Sequence, residues 1–138
     1  MLKFNFFSRV REELQKMKQK LDELKEKEDW KRAELVLNDF CLEQFQYSLA
    51  DIEKIPSEKI IFQLSQKKVF TNEEFSALAI VLSEKIFLNE KLNLPILNLL
   101  KQNLAVLEYV NEQEKQTLSL DRVVQINFLK EKIKEITS

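Results

Sequence analysis

The chain has 138 residues, enough for one domain with a substantial core, and its 22 basic and 23 acidic residues nearly cancel. It contains no glycine and only two prolines. The common β-hairpin turns need residues that tolerate positive φ, most often glycine, so this composition argues against an all-β or a Rossmann-type α/β fold. We therefore predict an all-α protein. The balanced charge leaves no overall basic field that would favour nucleic acid as a partner.

Several kinds of chemistry lack the residues that they need. The chain has no histidine, and Cys41 is its single cysteine, so Ser-His and Cys-His nucleophile systems and Cys/His zinc sites are excluded. Glycine loops that cradle phosphates are excluded as well. Three acids near one helix end could be imagined as a cation site, but we interpret them as exposed surface: Glu108, Glu112 and Glu114. We expect no enzymatic activity, no cofactor and no catalytic or metal-binding residue.

Cys41 also bears on the cellular compartment. Its neighbours Phe40 and Leu42 predict a small, buried, unpaired side chain. The chain shows no signal peptide and no run of eighteen apolar residues. We therefore expect a cytoplasmic protein without a transmembrane helix.

An amphipathic first helix is predicted over residues 1–27; Ser8 is its candidate N-cap, and a first turn that starts before Ser8 is the alternative. Six apolar residues recur at steps of three and four, as in a heptad seam: Phe7, Val10, Leu14, Met17, Leu21 and Leu24. We call these six residues the α1 seam and take them as the candidate interface. The seam either docks along an antiparallel neighbour within the chain or pairs with a helix of a second copy.

A second helix is predicted over residues 29–50, after a change of phase at 27–29. One apolar stripe comprises Trp30, Ala33, Leu37, Phe40, Cys41 and Phe45. A second stripe comprises Leu35, Leu42 and Leu49. The two stripes together predict a helix that is buried on two sides.

The middle of the chain is predicted to hold a short helix and a long central one. Pro56 closes the preceding region, and Ser57 is expected to cap the short helix. Thr71 or Asn72 is expected to cap the central helix, which is apolar almost all round over residues 75–88. Such a helix needs neighbours on several sides, so we place it in the middle of a bundle.

Two more helices complete a predicted antiparallel bundle of six. Pro95 is expected in the first turn of the fifth helix, and Thr117–Asp121 in the last connection. The sixth helix is predicted to contain Val123, Ile126, Leu129, Ile133 and Ile136 and to end in a solvated tail of alternating lysine and glutamate. We expect one domain over residues 1–138, in which residues 28–138 form the core and residues 1–27 either pack on it or protrude.

The register from Trp30 to about Leu88 resembles an uncharacterised bacterial family of small proteins with a tetratricopeptide-repeat-like helical fold. The resemblance is carried by Trp30-Lys-Arg-Ala33, Leu37, Phe40, Leu49, Ile52, Ile55-Pro56-Ser57, Glu74, Leu78, Ala79 and Leu82. It implies paired helices and protein binding, and it assigns no functional residues. The chain departs from the repeat pattern because it has no 34-residue self-repeat and cannot contain the pattern's Leu-Gly pair.

These observations favour a non-enzymatic helical scaffold that binds a protein partner or forms a homo-oligomer. Its interface is expected at the α1 seam or on a face of the last two helices. The alternative is an adaptor whose aromatic, basic N-terminus touches anionic membrane or nucleic acid. That alternative depends on Phe4, Phe6 and Phe7 and on nearby basic residues such as Arg9 and Arg11. Acids interrupt the basic residues of the first helix, so we do not expect a nucleic-acid or membrane partner.

Overall fold

A computed structural model describes the backbone of residues 2–138 and the side chains of residues 9–138. This part of the chain is all-helical and has no β-strand, which confirms the predicted fold class. The seven α-helices are α1 (Leu2–Glu26), α2 (Trp30–Phe45), α3 (Leu49–Glu53), α4 (Ile60–Leu64), α5 (Asn72–Lys91), α6 (Leu97–Gln113) and α7 (Leu120–Thr137). A 3₁₀ turn, Ser57–Lys59, leads into α4.

The long central helix α5 holds the bundle together. It packs against α1, α2 and α6, while α1 also packs on α2 and α7 packs on α6. Its largest buried side chains include Phe75, Leu78, Leu82 and Leu88, which lie on several sides of the helix. The prediction that this helix lies in the middle of the bundle is therefore confirmed.

The predicted helix over residues 29–50 is two helices, so that prediction is wrong. α2 ends at Phe45, and Gln46 takes the left-handed conformation with φ 64°. The Ser48 side chain then accepts a hydrogen bond from the Asp51 backbone N–H and caps α3. The Asn38 side chain accepts another from the Leu49 N–H at 2.8 Å. Because these side chains offer the backbone other partners, the helix stops and restarts.

The helices α1 and α5 share one kind of C-terminal cap, in which the left-handed residue is not glycine. Glu28, after α1, and Asn93, after α5, have φ of 55° and 57°. The Asp29 N–H donates to the Leu24 carbonyl at 2.9 Å, and the Leu94 N–H reaches back five residues in the same way. These are Schellman caps, which usually have glycine at the left-handed position. The break predicted between the first two helices lies at the first of them.

Four predictions placed particular residues at helix starts, and one of them is confirmed. Thr71 caps α5, and its hydroxyl and the Glu74 carboxylate form a reciprocal capping box. Ser8 is not an N-cap, because α1 begins at Leu2. Ser57 opens the 3₁₀ turn without a side-chain cap. Pro95 precedes Ile96, the N-cap of α6, and so lies before the first turn.

In the described part of the chain, no helix is both long and apolar enough to cross a membrane.

Candidate functional site

The α1 seam lies largely inside the fold. Val10, Met17 and Leu21 are buried, and Leu14 and Leu24 are half-buried against the core. The side chain of Phe7 lies outside the described residues. Docking within the chain therefore accounts for the contacts of the seam, and its role as an interface between copies stays a prediction.

α2 is buried on one side only. Its first predicted stripe is in the core apart from the half-buried Trp30. Leu35 and Leu42, from the second predicted stripe, are about half exposed, and Leu49 is buried in α3 instead. The prediction of two buried sides is wrong, because neither α1 nor α5 covers the face of α2 that carries Leu35 and Leu42.

The last helix, α7, carries apolar residues on two opposite sides. Ile126 and Leu129 are buried in the core. On the other side, Leu120, Val124 and Phe128 follow one another at four-residue steps and are 71%, 65% and 61% exposed. We call these three residues the α7 stripe. Leu118, just before the helix, is exposed as well. Among the residues whose side chains the structure describes, 9–138, none covers the outer side of the stripe.

The sequence predicts an interface on a face of the last two helices as one alternative, but it does not identify the residues of the stripe. The signal was present, since Val123 and Val124 are adjacent, as are Phe128 and Leu129. A single helical face cannot hold both members of such a pair. Either α7 is covered on both sides, or one of its apolar faces is exposed.

A cavity of about 290 Å³ between α5, α6 and α7 continues the stripe. Its apolar lining includes Ile86, Phe87, Leu100 and Leu129, and Phe128 belongs to both the cavity and the stripe. The buried Asn103 also lines it and donates from Nδ2 to the Ser83 hydroxyl at 2.9 Å. Its Oδ1 has no hydrogen-bond partner among the described residues. The volume is at the lower end of ligand pockets, about 300–1,000 Å³, and suits a side chain or a small apolar group.

A larger groove, of about 480 Å³, lies between α1 and α2. It is lined mainly by charges of both signs, from Glu13, Lys16, Lys20, Glu23, Asp39 and Glu43. Met17 and Phe40 supply apolar surface, but both are buried in the core. This groove offers neither an apolar anchor nor a field of one sign, so we do not take it as the functional site.

A charged cluster joins α2, α3 and α5. Lys85 is only 3% exposed, and its Nζ lies 2.8 Å from Glu34 Oε1 and 3.7 Å from Glu53 Oε1. Burial raises the pKa of Glu53 above its ordinary value, and the Lys85 charge opposes that shift. Burial, with a contribution from the Glu53 charge, raises the pKa of Cys41 to about 12. Cys41 is therefore a thiol at neutral pH, which does not suit a nucleophile.

The three acids considered as a cation site each have a partner of their own. Glu108 pairs with Lys130, Glu112 with Lys115, and Glu114 with Arg122, at 3.6, 3.5 and 3.1 Å. The residues that the structure describes hold no group of three potential metal ligands. The acids belong to surface ion pairs rather than to a shared site.

The adaptor alternative depends on the N-terminal segment, and the side chains of Phe4, Phe6 and Phe7 lie outside the described residues. Among the basic residues of α1, Arg11 pairs with Glu73 and Lys25 pairs with Glu84; the two glutamates lie on α5. Two positive charges of the first helix thus meet acids of the same chain. The adaptor role stays a prediction.

Comparison with protein-family models, with curated proteins and with solved structures finds no match for this chain. The candidate functional site is the α7 stripe together with the cavity beside Phe128.

Proposed function

We propose that the protein is a non-enzymatic helical scaffold that binds protein, a second copy or another chain, through the α7 stripe. The observation that carries this proposal is the position of Leu120, Val124 and Phe128 on the last helix, opposite its buried side. The outer face of a terminal helix is normally polar, because water is its only neighbour. Contiguous exposed apolar residues with polar neighbours are typical of interaction sites.

The residues and the cavity around the stripe support this proposal. Asp121, Asn127 and Glu131 are exposed beside it and would form a polar rim around the apolar centre. The cavity next to Phe128 would receive an anchoring side chain, since binding energy at interfaces concentrates where an apolar group fills a pocket. The side-chain carbonyl of Asn103, for which the described residues provide no donor, would accept a hydrogen bond there.

The other parts of the proposal come from the sequence. The resemblance of residues 30–88 to bacterial tetratricopeptide-repeat-like proteins supports a protein partner. The balanced net charge of −1 supports protein over nucleic acid or anionic lipid. A lone cysteine is consistent with the reducing cytoplasm, which we propose as the location.

The test compares two exposed positions on different helices. Phe128→Glu places a charge in the stripe, while Leu35→Glu places one on α2, where the leucine is 57% exposed. Both sites face water, so both variants should keep the far-UV circular dichroism of the wild type. We expect Phe128→Glu to lose either self-association, measured by light scattering, or the proteins that the wild type retains in affinity capture. We expect Leu35→Glu to keep them. If the two variants behave alike, the stripe is not the binding surface.

A further inference from the structure

We infer that the occupant of the α7 stripe is the α7 stripe of a second copy, packed antiparallel about a two-fold axis beside Val124. This inference is built on the proposed function, because it names the partner of the same surface. It starts from the spacing of the stripe. Leu120 and Phe128 lie four residues before and four residues after Val124, so each is about 6 Å from it along the axis.

The stripe is self-complementary in an antiparallel pair. A two-fold axis at Val124 sets each Val124 against its copy and sets Leu120 of one chain against Phe128 of the other. The small residue at the centre allows the helices to approach, and the larger residues fill the space on both sides. The same patch is used by both copies, as in the closed dimers that are the commonest soluble oligomers.

Charge selects the antiparallel orientation. Glu131 and Glu135 follow Val124 and Phe128 by seven residues, lie on the same face, and are exposed. A parallel pair would set Glu131 against Glu131 and Glu135 against Glu135. In the antiparallel pair Glu131 lies about 5 Å beyond the first residue of the partner helix, where the helix dipole favours negative charge, and Glu135 lies about 6 Å farther out. Asp121 then lies on the flank beside the neutral Asn127 of the other copy.

The small number of apolar residues predicts a dimer that dissociates on dilution. Stable interfaces bury about 1,200–2,000 Å² in total, and smaller ones are typical of weak complexes. Three stripe residues from each copy, with Leu118 at the edge, are far fewer than the roughly 20–30 residues that each partner contributes to an interface of that size. Light scattering of the full chain over a dilution series should therefore show a change from dimer to monomer. Val124→Glu, which sets two carboxylates together at the axis, should be monomeric throughout.

Cysteine cross-linking tests the orientation. Val124→Cys, Leu120→Cys and Leu35→Cys are each made in the full chain and exposed to a mild oxidant. Cys41 can remain, because it is fully buried. A disulfide needs Cα atoms within about 7 Å, which the two-fold axis provides at residue 124. The two residues at 120 are about 12 Å apart along the axis of an antiparallel pair. We expect a linked dimer for Val124→Cys at several times the yield of the other two variants.

The outcomes separate this inference from the proposed function. Equal cross-linking at 120 and 124 would indicate a parallel pair and overturn the inference. So would a yield at 124 no higher than at Leu35→Cys. If the wild type is a monomer at every concentration while Phe128→Glu loses a captured protein, the inference fails and the proposed function holds. If neither self-association nor capture depends on the stripe, both fail.

Discussion

Lys85 lies where α2, α3 and α5 meet, and its ammonium group pairs with two acids of the cluster, Glu34 and Glu53. Glu53 is the more confined of these acids, and its pKa is raised from the ordinary value of 4.5 by burial. A carboxyl whose pKa is higher in the folded chain binds more protons there than in the unfolded chain. Its contribution to stability is therefore complete below pH 4.5 and declines as the pH rises through the raised pKa.

Replacing Glu53 with glutamine removes this pH dependence. We expect the difference in unfolding free energy between Glu53→Gln and the wild type to move in favour of the variant as the pH rises from 4 to 7. Urea unfolding at several pH values measures it. Gln15→Ala, at an exposed position of α1, changes no titratable group; it is the control and should show a constant difference. A constant difference for Glu53→Gln as well would mean that burial does not raise the pKa of Glu53.

Gln102 is another buried polar residue, and it closes the end of α3. Its Nε2 donates to the carbonyls of Ile52 and Ile55 at 2.8 and 2.7 Å. Gln102→Leu removes both hydrogen bonds, while the Ile55 N–H still donates to the Ile52 carbonyl and the Asn98 amide to the Ile55 carbonyl. At about 0.5–1.5 kcal/mol net for each lost hydrogen bond, we expect a loss of about 1–3 kcal/mol in chemical unfolding. Asn98→Ala removes a more exposed donor to the same turn and should cost less than about 1 kcal/mol. Equal losses would contradict the role of burial.

At the scale of elements, the absence of glycine leaves a measurable cost in the helix ends. Glu28 holds a left-handed conformation in which its Cβ is unfavourable by about 1–2 kcal/mol, and asparagine tolerates the same conformation better. We expect Glu28→Gly to raise the unfolding free energy by about 0.5–1 kcal/mol, since glycine's greater freedom in the unfolded chain offsets part of the gain. Asn93→Gly should gain less. Thermal unfolding measures both, and a destabilised Glu28→Gly would contradict the Schellman assignment.

Helix identity could be predicted from the sequence where pattern and cap agree, as in α5, whose apolar run follows the Thr71 capping box. It could not be predicted where a few side-chain hydrogen bonds outweigh an apolar pattern. The α2–α3 break depends on Asn38 and Ser48, which contact backbone groups that are defined only once the chain has turned. The residues of the α7 stripe could not be identified from the sequence for a different reason. Helical periodicity locates apolar faces, but it does not say which face the rest of the chain covers.

At the scale of the whole molecule, the heptad spacing of α1 predicted which residues pack but not against what. Apolar residues at heptad spacing can pack against a helix of a second copy or against an antiparallel helix of the same chain, because either helix can present a matching apolar face. In this chain α2 and α5 supply it. The described side chains of the α1 seam are thus packed against the core, and the candidate site moves from α1 to α7.

Leu21 provides the decisive test of that placement, because it is 1% exposed and lies among the side chains of the core. Leu21→Glu would bury an unpaired carboxylate, and a buried charge without a partner costs several kcal/mol, comparable to the whole stability of a small domain, about 5–15 kcal/mol. We expect the variant to lose most of its helical circular dichroism or to unfold at much lower urea. Lys18→Glu, on the exposed side of α1, should keep the fold. A Leu21→Glu chain that stays folded and becomes monomeric, where the wild type self-associates, would make the α1 seam the interface instead of the α7 stripe. We expect Val124→Glu to give a folded monomer and Leu21→Glu an unfolded chain. The two variants together therefore decide whether the interface lies at the α1 seam or at the α7 stripe.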